Sequence, residues 1–445
     1  DVFIRQHHYD KRVVLAFMPS IEVRNHKNLK IQVRVNTPNG DLLEKDHALT
    51  AGQCDVLPLY IDHPMLWWPN GYGGQPLYQV ELSLWNGEEC LDVKHYQIGL
   101  RTLELRQSDD PWGQSFTFVV NGVPIFCKGS NWIPADSFPA RINRQQLEHL
   151  IRSAADVNQN MLRVWGGGYY ESEDFYDLCD RYGILVWQDF MFSCAVYPLT
   201  DDVFLKSLHE EVQQVARRLR YRACLALWCG NNELEMGWRD WGWDRSDTQD
   251  LKQAYEHFFF QILPAWLMDD DPVTPYWPGS PSSGEALTHV NEDTAGDTHL
   301  WQVWHELKPF KYYYERKSRF VSEFGFQSLP SIRTIAAFAG ESEWNLTSYI
   351  MEHHQKNAAG NGKMMTYLTG QYRFPDDFRG LVYLTQVQQA EALRVGVEHW
   401  RRNCECTSGA LYWQINDCWP AASWSSIDYY GRWKAAHYAA RHFFA

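Results

Sequence analysis

The sequence predicts two units of different class: a small all-β sandwich over residues 1–105, then an α/β barrel of the (β/α)8 TIM type over 106–445. Up to about Glu104, short alternating runs are separated by turn signals and show no helical period. After Arg106 eight apolar runs alternate with helical segments, as eight strands with crossover helices require. Two of those runs stop on a carboxylate: Leu225-Ala226-Leu227-Trp228-Cys229-Gly230-Asn231-Asn232-Glu233 and Arg319-Phe320-Val321-Ser322-Glu323-Phe324-Gly325. A short continuous apolar run reads as a buried parallel strand, and a polar group at its C-terminal end lies at the barrel mouth.

In the first unit Ile31-Gln32-Val33-Arg34-Val35 and Tyr78-Gln79-Val80-Glu81-Leu82-Ser83-Leu84 alternate apolar and polar residues. Asn39-Gly40 and Asn86-Gly87 follow them as hairpin turns. The aromatic turn Trp67-Trp68-Pro69-Asn70-Gly71-Tyr72 reads as a packed loop between the two units. In the second unit, Val123 to Gly129 is the first strand and Asn143 caps the helix that follows. Met161 to Trp165, Ile184 to Trp187 and the Leu225 run are strands two to four. Helices over 174–181 and 202–220 lie between them. A helix over 250–267 leads to the fifth strand, Thr274 to Trp277, where prolines crowd the pattern. His299 to Val303, the Glu323 run and Ala410 to Trp413 complete the eight. Residues 338–378 form an excursion before a long helix over 376–402.

Composition narrows the function. The 445 residues are 45% hydrophobic and 22% charged, the make-up of a globular chain. A net charge of −14 argues against nucleic acid and anionic membranes as partners. No apolar run reaches the roughly 18 residues that span a bilayer, and the first residues do not form a basic-then-apolar export signal. The ten cysteines show neither CxxC pairs nor zinc spacing, so neither a disulfide framework nor a metal site is expected. Cys127, Cys179, Cys224 and Cys229 sit in or beside apolar runs and read as buried free thiols.

The strand ends gather Asn131 and Trp132, Arg163 and Trp165, Asp189, Asn232 and Glu233, Trp277, His299 and Trp301, Glu323, and Trp413 with Asn416 and Asp417. Aromatic faces stack on sugar C–H faces while amides and carboxylates take up hydroxyls, so an oligosaccharide is the expected substrate. The expected substrate-binding residues are Asn232, Arg163, Trp165, Trp132, Asp189, Trp301, His299, Trp413 and Asp417. Two glutamates at one mouth suit glycoside cleavage. Glu323, near Arg163, is expected to stay ionised and act as nucleophile, while Glu233, desolvated near Trp228, is expected to start protonated and act as acid/base. Glu235 is the competing acid. Carboxyl groups about 5–5.5 Å apart would mean retention of configuration.

Trp228 to Glu233 and Ser322 to Ser328 resemble the acid/base and nucleophile motifs of glycoside hydrolase family 2, in its β-mannosidase branch. Arg163-Val164-Trp165-Gly166-Gly167-Gly168-Tyr169-Tyr170-Glu171, Trp187 to Phe192, Tyr412 to Asp417 and Trp67 to Gly71 resemble that branch as well. The resemblance implies an immunoglobulin-like domain ahead of the barrel and a retaining exo-β-mannosidase that needs no cofactor. It also implies contacts with a jelly-roll sugar-binding domain that this chain lacks, and a cis peptide between Trp413 and Gln414. A C2-discriminating corner is expected from Arg163, Asn232 and Trp165, with room left by Gly166 to Gly168. The alternatives are an exo-β-glucosaminidase or another exo-β-glycosidase of the family, and a catalytically dead carbohydrate-binding barrel. The expected compartment is a bacterial-type cytoplasm, with lysosomal or secreted placement as alternatives.

Overall fold

A computed structural model of the chain describes residues 1–22, 29–49 and 56–445. At the N-terminus two antiparallel sheets face each other. One pairs Val2–Tyr9, Arg12–Pro19 and Leu57–Asp62; the other orders Leu42–Ala48, Leu29–Asn36, Tyr78–Asn86 and Glu89–Ile98. The alternation read from the sequence is what lets each sheet turn one face inward. Val13, Leu15, Phe17, Val33, Val35, Leu59, Ile61, Val80 and Leu82 meet in one core between the two sheets. Gly87, at φ +61°, makes the turn from Tyr78–Asn86 into the next strand in a conformation that costs glycine little.

The remaining chain builds an eight-stranded parallel sheet, curled like a TIM barrel. Its strands are β1 (Cys127–Trp132), β2 (Met161–Val164), β3 (Leu185–Asp189), β4 (Leu225–Cys229), β5 (Tyr276–Trp277), β6 (Thr298–Leu300), β7 (Val321–Phe324) and β8 (Gly409–Tyr412). They pair in the order β5-β4-β3-β2-β1-β8-β7-β6. Among the described residues β5 and β6 share no ladder. Side chains cross that seam instead: Trp277 Nε1 donates to Asp297 Oδ1 at 3.0 Å and Ser280 Oγ to Asp297 Oδ2 at 2.6 Å. Helices Arg144–Asp156, Glu173–Tyr182, Asp202–Leu219 and Phe378–Arg402 pack outside the sheet. The first is capped as expected, Asn143 accepting from the Gln146 amide.

Three sequence expectations change. Val123–Ile125 is not part of the first barrel strand; it closes a small antiparallel sheet with Leu103–Arg106 and Thr117–Val120. That sheet plugs the N-terminal end of the barrel, where Phe116, Phe118 and Ile125 pack on Trp187, Leu227 and Phe320. The fifth strand shrinks to two residues, as its prolines foreshadow. The single helix expected over 250–267 is three consecutive pieces, Gln249–His257, a π-turn at Phe258–Ile262 and Leu263–Asp270. No strand occurs in 338–378. The nine described cysteines are free, and Cys54 lies outside the described residues. No helix among the described residues is long and apolar enough to cross a membrane.

The aromatic turn joins the N-terminal sheets to the barrel. Trp67 is fully buried and its Nε1 donates to the Asp180 carbonyl at 2.7 Å. Asn70 Nδ2 reaches the carbonyls of Ala155 and Gln159, and Arg101 donates to the carbonyls of Ala223 and Leu225 at the start of β4. Trp67→Ala removes a whole buried indole and should cost ~3–5 kcal/mol. A urea or thermal melt of the variant should show a clearly lower midpoint, whereas an unchanged midpoint would contradict this packing role.

Candidate active site

Arg163 lies at the centre of the mouth. It is fully buried, and all five guanidinium N–H groups have an acceptor. Nε and Nη2 grip Asp189 at 3.3 and 2.9 Å; Nη2 also reaches Asn232 Oδ1 at 2.7 Å. Nη1 donates to Asn131 Oδ1 at 2.8 Å and to Glu323 Oε1 at 2.5 Å. The strand pleat explains this convergence. Arg163 and Asn131 point inward, while Leu162, Val164 and Trp132 point outward into the layer beneath the helices.

Glu233 and Glu323 come together above this cation. The Glu233 backbone turns at φ +61° between β4 and the helix Leu234–Asp240, which leaves its carboxyl at the mouth. Its Oε1 is 2.7 Å from His299 Nδ1 and its Oε2 is 3.5 Å from Cys194 Sγ. Glu323 Oε2 accepts from Trp301 Nε1 at 3.1 Å and lies 3.4 Å from the same His299 Nδ1. One atom from each of Glu233, His299 and Glu323 falls within 4.8 Å of the others. That spacing could also surround a cation; within the site it is occupied by direct carboxyl–imidazole contacts.

Burial sets the electrostatics. It pushes Glu233 up to about 6, with Arg163 and the Cys194 thiol pulling it back down. Burial also raises Glu323, against the downward pull of the Arg163 guanidinium. The expectation that Arg163 keeps Glu323 ionised meets an opposing influence, because desolvation favours the protonated form and is the larger of the two. His299, also buried, is pushed down to about 4 and is neutral near pH 7.

Trp165, Trp301 and Trp413 are the half-buried tryptophans of the site. Trp165 and Trp413 meet edge to face with ring centroids 5.2 Å apart, and the Trp413–Gln414 peptide is cis. The other expected ligands are taken up by protein partners. Asp189 has no exposed surface and spends its oxygens on Arg163, the Gly166 amide and Trp187 Nε1. Trp132 is buried against Phe175 and donates to Glu171, away from the mouth. Arg163, with every donor committed, sits beneath the mouth and cannot grip a sugar. Asn232 is equally committed, to Arg163, Ser193 and Cys194. Both ring nitrogens of His299 have protein partners. Asp417 accepts from Ser423 and Ser425 through Oδ2, and Gln414 approaches its Oδ1 at 3.4 Å.

Gly166 to Gly168 leave no room of the kind expected. A Cβ on Gly167 would lie 2.0 Å from the Trp165 ring, so this glycine lets the loop fold tightly against that indole. Sequence reasoning missed Cys194, Ser280 and Asp297. Ser280 and Asp297 flank the weakest strands, where no apolar run marks a strand end. Glu235 is buried, with Oε2 on the Leu287 amide, and does not join the Glu233–Glu323 pair.

A barrel-like parallel sheet with paired glutamates and tryptophans at the carboxyl ends of its strands has the make-up of a glycoside hydrolase. Among known proteins, the model of "Glycosyl hydrolases family 2" matches residues 1–101. The chain is 39% identical to a β-mannosidase of Bos taurus over 405 residues, 85% of this chain and 46% of that protein. It is 36% identical to β-mannosidase B of Emericella nidulans over 457 residues, 99% of this chain and 53% of that protein. The crystal structure of a β-D-mannosidase from Dictyoglomus thermophilum superposes with a TM-score of 0.92 at 38% identity. It covers 100% of this chain and 54% of that one. The chain thus spans about half the length of the relatives it matches. It belongs to glycoside hydrolase family 2.

Burial pushes Glu235 up to about 8, so the folded state holds its proton more tightly than the unfolded chain does. Below the ordinary glutamate range both states are protonated and the site costs nothing. As pH rises towards 8 the unfolded chain gains from ionising and the native state loses stability. Glu235→Gln should therefore raise the melting temperature at pH 8 and change it little at pH 4. Equal shifts at the two pH values would count against a buried, protonated Glu235.

Proposed function

We propose that this chain carries the catalytic site of a retaining exo-β-mannosidase, with Glu323 as nucleophile and Glu233 as acid/base. The observation that carries the reading is the Glu233–His299–Glu323 cluster, whose facing atoms lie within 4.8 Å. So short a gap favours direct attack by one carboxylate over a water placed between two, as inversion needs. Similarity to the bovine, fungal and bacterial β-mannosidases supports the sugar. Trp165, Trp301 and Trp413 are the aromatic walls of the subsite in this reading. We further propose that residues 1–105 are an immunoglobulin-like domain and 106–445 the catalytic barrel, an assignment supported by the separate core of the N-terminal sheets.

In the first step the Glu323 carboxylate attacks the anomeric carbon while Glu233 gives its proton to the departing oxygen. Arg163 and Trp301 hold both Glu323 oxygens and aim them. In the second step Glu233 takes a proton from water, and the hydroxide displaces Glu323 and regenerates it. Glu233 must start protonated, so kcat/KM should fall as pH rises through about 6.

Glu323→Ala should abolish turnover, and a 2-deoxy-2-fluoro-mannosyl fluoride should label Glu323 in the unmodified chain. Glu233→Ala should spare substrates with very good leaving groups, which need little protonation to depart. A label on another residue, or that leaving-group profile arising from Glu235→Ala instead, would overturn the assignment. On a panel of 4-nitrophenyl β-glycosides the preference for mannoside over glucoside should be at least ~100-fold in kcat/KM, about 2.7 kcal/mol of transition-state discrimination. A preference for the 2-amino sugar would move the chain to the exo-β-glucosaminidase reading.

A further inference from the structure

Behind Glu233 lies a chain of polar groups that the two-step scheme leaves unused. Asp297, just before β6, is fully buried, and among the described residues each partner of its carboxylate is a donor. Oδ1 accepts from Trp277 Nε1 at 3.0 Å and from the Ser282 amide at 3.1 Å. Oδ2 accepts from the hydroxyls of Ser280, at 2.6 Å, and of Ser322. Four donors around one carboxyl group are what the ionised, acceptor-only form requires.

Ser280 has a single proton. Asp297 is both its nearest and its strongest acceptor, so the proton goes there. The Ser280 oxygen then faces His299 Nε2, 3.0 Å away, as an acceptor. A neutral imidazole opposite an acceptor at Nε2 carries its one proton on Nε2, which leaves Nδ1 a bare lone pair. That lone pair lies 2.7 Å from Glu233 Oε1. Two acceptors cannot share so short a contact, so the proton between them belongs to the carboxyl group.

We propose that Asp297 and Ser280 are positioning residues that lock His299 in its Nε2–H tautomer, so that the Nδ1 lone pair holds the acid proton of Glu233 ready for donation. This rests on the reading of Glu233 as the acid. When Glu233 has passed its proton to the leaving oxygen, its carboxylate faces the same lone pair without a hydrogen between them. That repulsion favours recovery of a proton from water in the second step, and the proton count closes over the cycle. Arg163 from β2 opposes the effect by favouring the Glu233 carboxylate, and so does the Cys194 thiol beyond β3. Glu323 from β7 faces the same imidazole edge, and Asp189 and the buried Cys229 lie around Arg163.

Ring 15N spectra of the full chain, with the His299 signals assigned by their loss in His299→Gln, read the tautomer directly. A lone-pair-type Nδ1 and an N–H-type Nε2 are expected at pH 6 to 7; an N–H-type Nδ1 would overturn the proposal. Ser280→Ala removes the acceptor that fixes the ring, allowing Nδ1–H to donate to Glu233 and stabilise its carboxylate. The alkaline limb of kcat/KM should then move down by about one pH unit. At pH 7 that is a loss of roughly tenfold on poor leaving groups and little on 2,4-dinitrophenyl glycosides. Ser280→Thr, which keeps the hydroxyl, should restore the limb. A rate lowered equally at every pH and for both leaving groups would mean a merely structural Ser280 and would also overturn the proposal. The spectra report the ring whether or not the chain turns over. A chain inactive on every β-glycoside therefore sinks the functional reading separately.

Discussion

The site is organised around one buried guanidinium. Arg163 reaches Asn131 on β1, Asp189 on β3, Asn232 after β4 and Glu323 on β7, so a single side chain ties five segments of the barrel mouth together. Arginine suits this position because its planar fork offers five donors in fixed directions and keeps its charge when desolvated. Its charge also makes it tolerable to hold Asp189 and Glu323 out of water. A buried ion pair is weak evidence of added stability, since desolvation offsets the attraction. What such a network supplies is geometry: Glu323 is aimed from below by Arg163 and from the side by Trp301.

His299 is the complementary element. It touches both glutamates through one nitrogen, and its own burial keeps it uncharged. A protonated imidazole there would favour both carboxyl groups as anions and take the proton from the proposed acid. The neutral ring allows two carboxyl groups a few ångströms apart to hold different protonation states. Burial raises both glutamates, while Arg163 hydrogen-bonds Glu323 directly and reaches Glu233 only through its field.

The rest of the fold keeps this mouth rigid from below. The small sheet made by Leu103–Arg106, Thr117–Val120 and Val123–Ile125 fills the opposite end with Phe116 and Phe118 against Trp187 and Phe320. Trp187 then passes that constraint upward, since its Nε1 bonds the same Asp189 that holds Arg163. At the N-terminal sheets Trp67, Asn70 and Arg101 bond backbone groups near the lower ends of the barrel elements. The mouth is thus set on a packed base, with the half-buried Trp165, Trp301 and Trp413 around it.

The barrel strands legible in the sequence are those with an unbroken apolar run too short for a helix and bounded by polar residues, such as Leu225–Cys229 and Leu185–Asp189. The sandwich strands were legible because a half-buried sheet forces a period of two. The glutamates were legible as well, because each interrupts such a run where the chain must leave the core. The tertiary structure alone decided which polar strand-end residues face the mouth. Trp132 and Asn131 are neighbours in sequence, yet the pleat sends one to the helices and the other to Arg163. Burial was equally invisible: Arg163 and Asp189 look like ligands in a strand-end inventory and prove to be consumed by each other. Ser280 and Asp297 left no pattern at all, because β5 and β6 are too short to show a period and share no ladder, the contacts across the seam being made largely by side chains. Local sequence determines where a strand must end. Only the closing of distant segments onto one another determines which hydrogen-bonding groups are left free to meet a substrate.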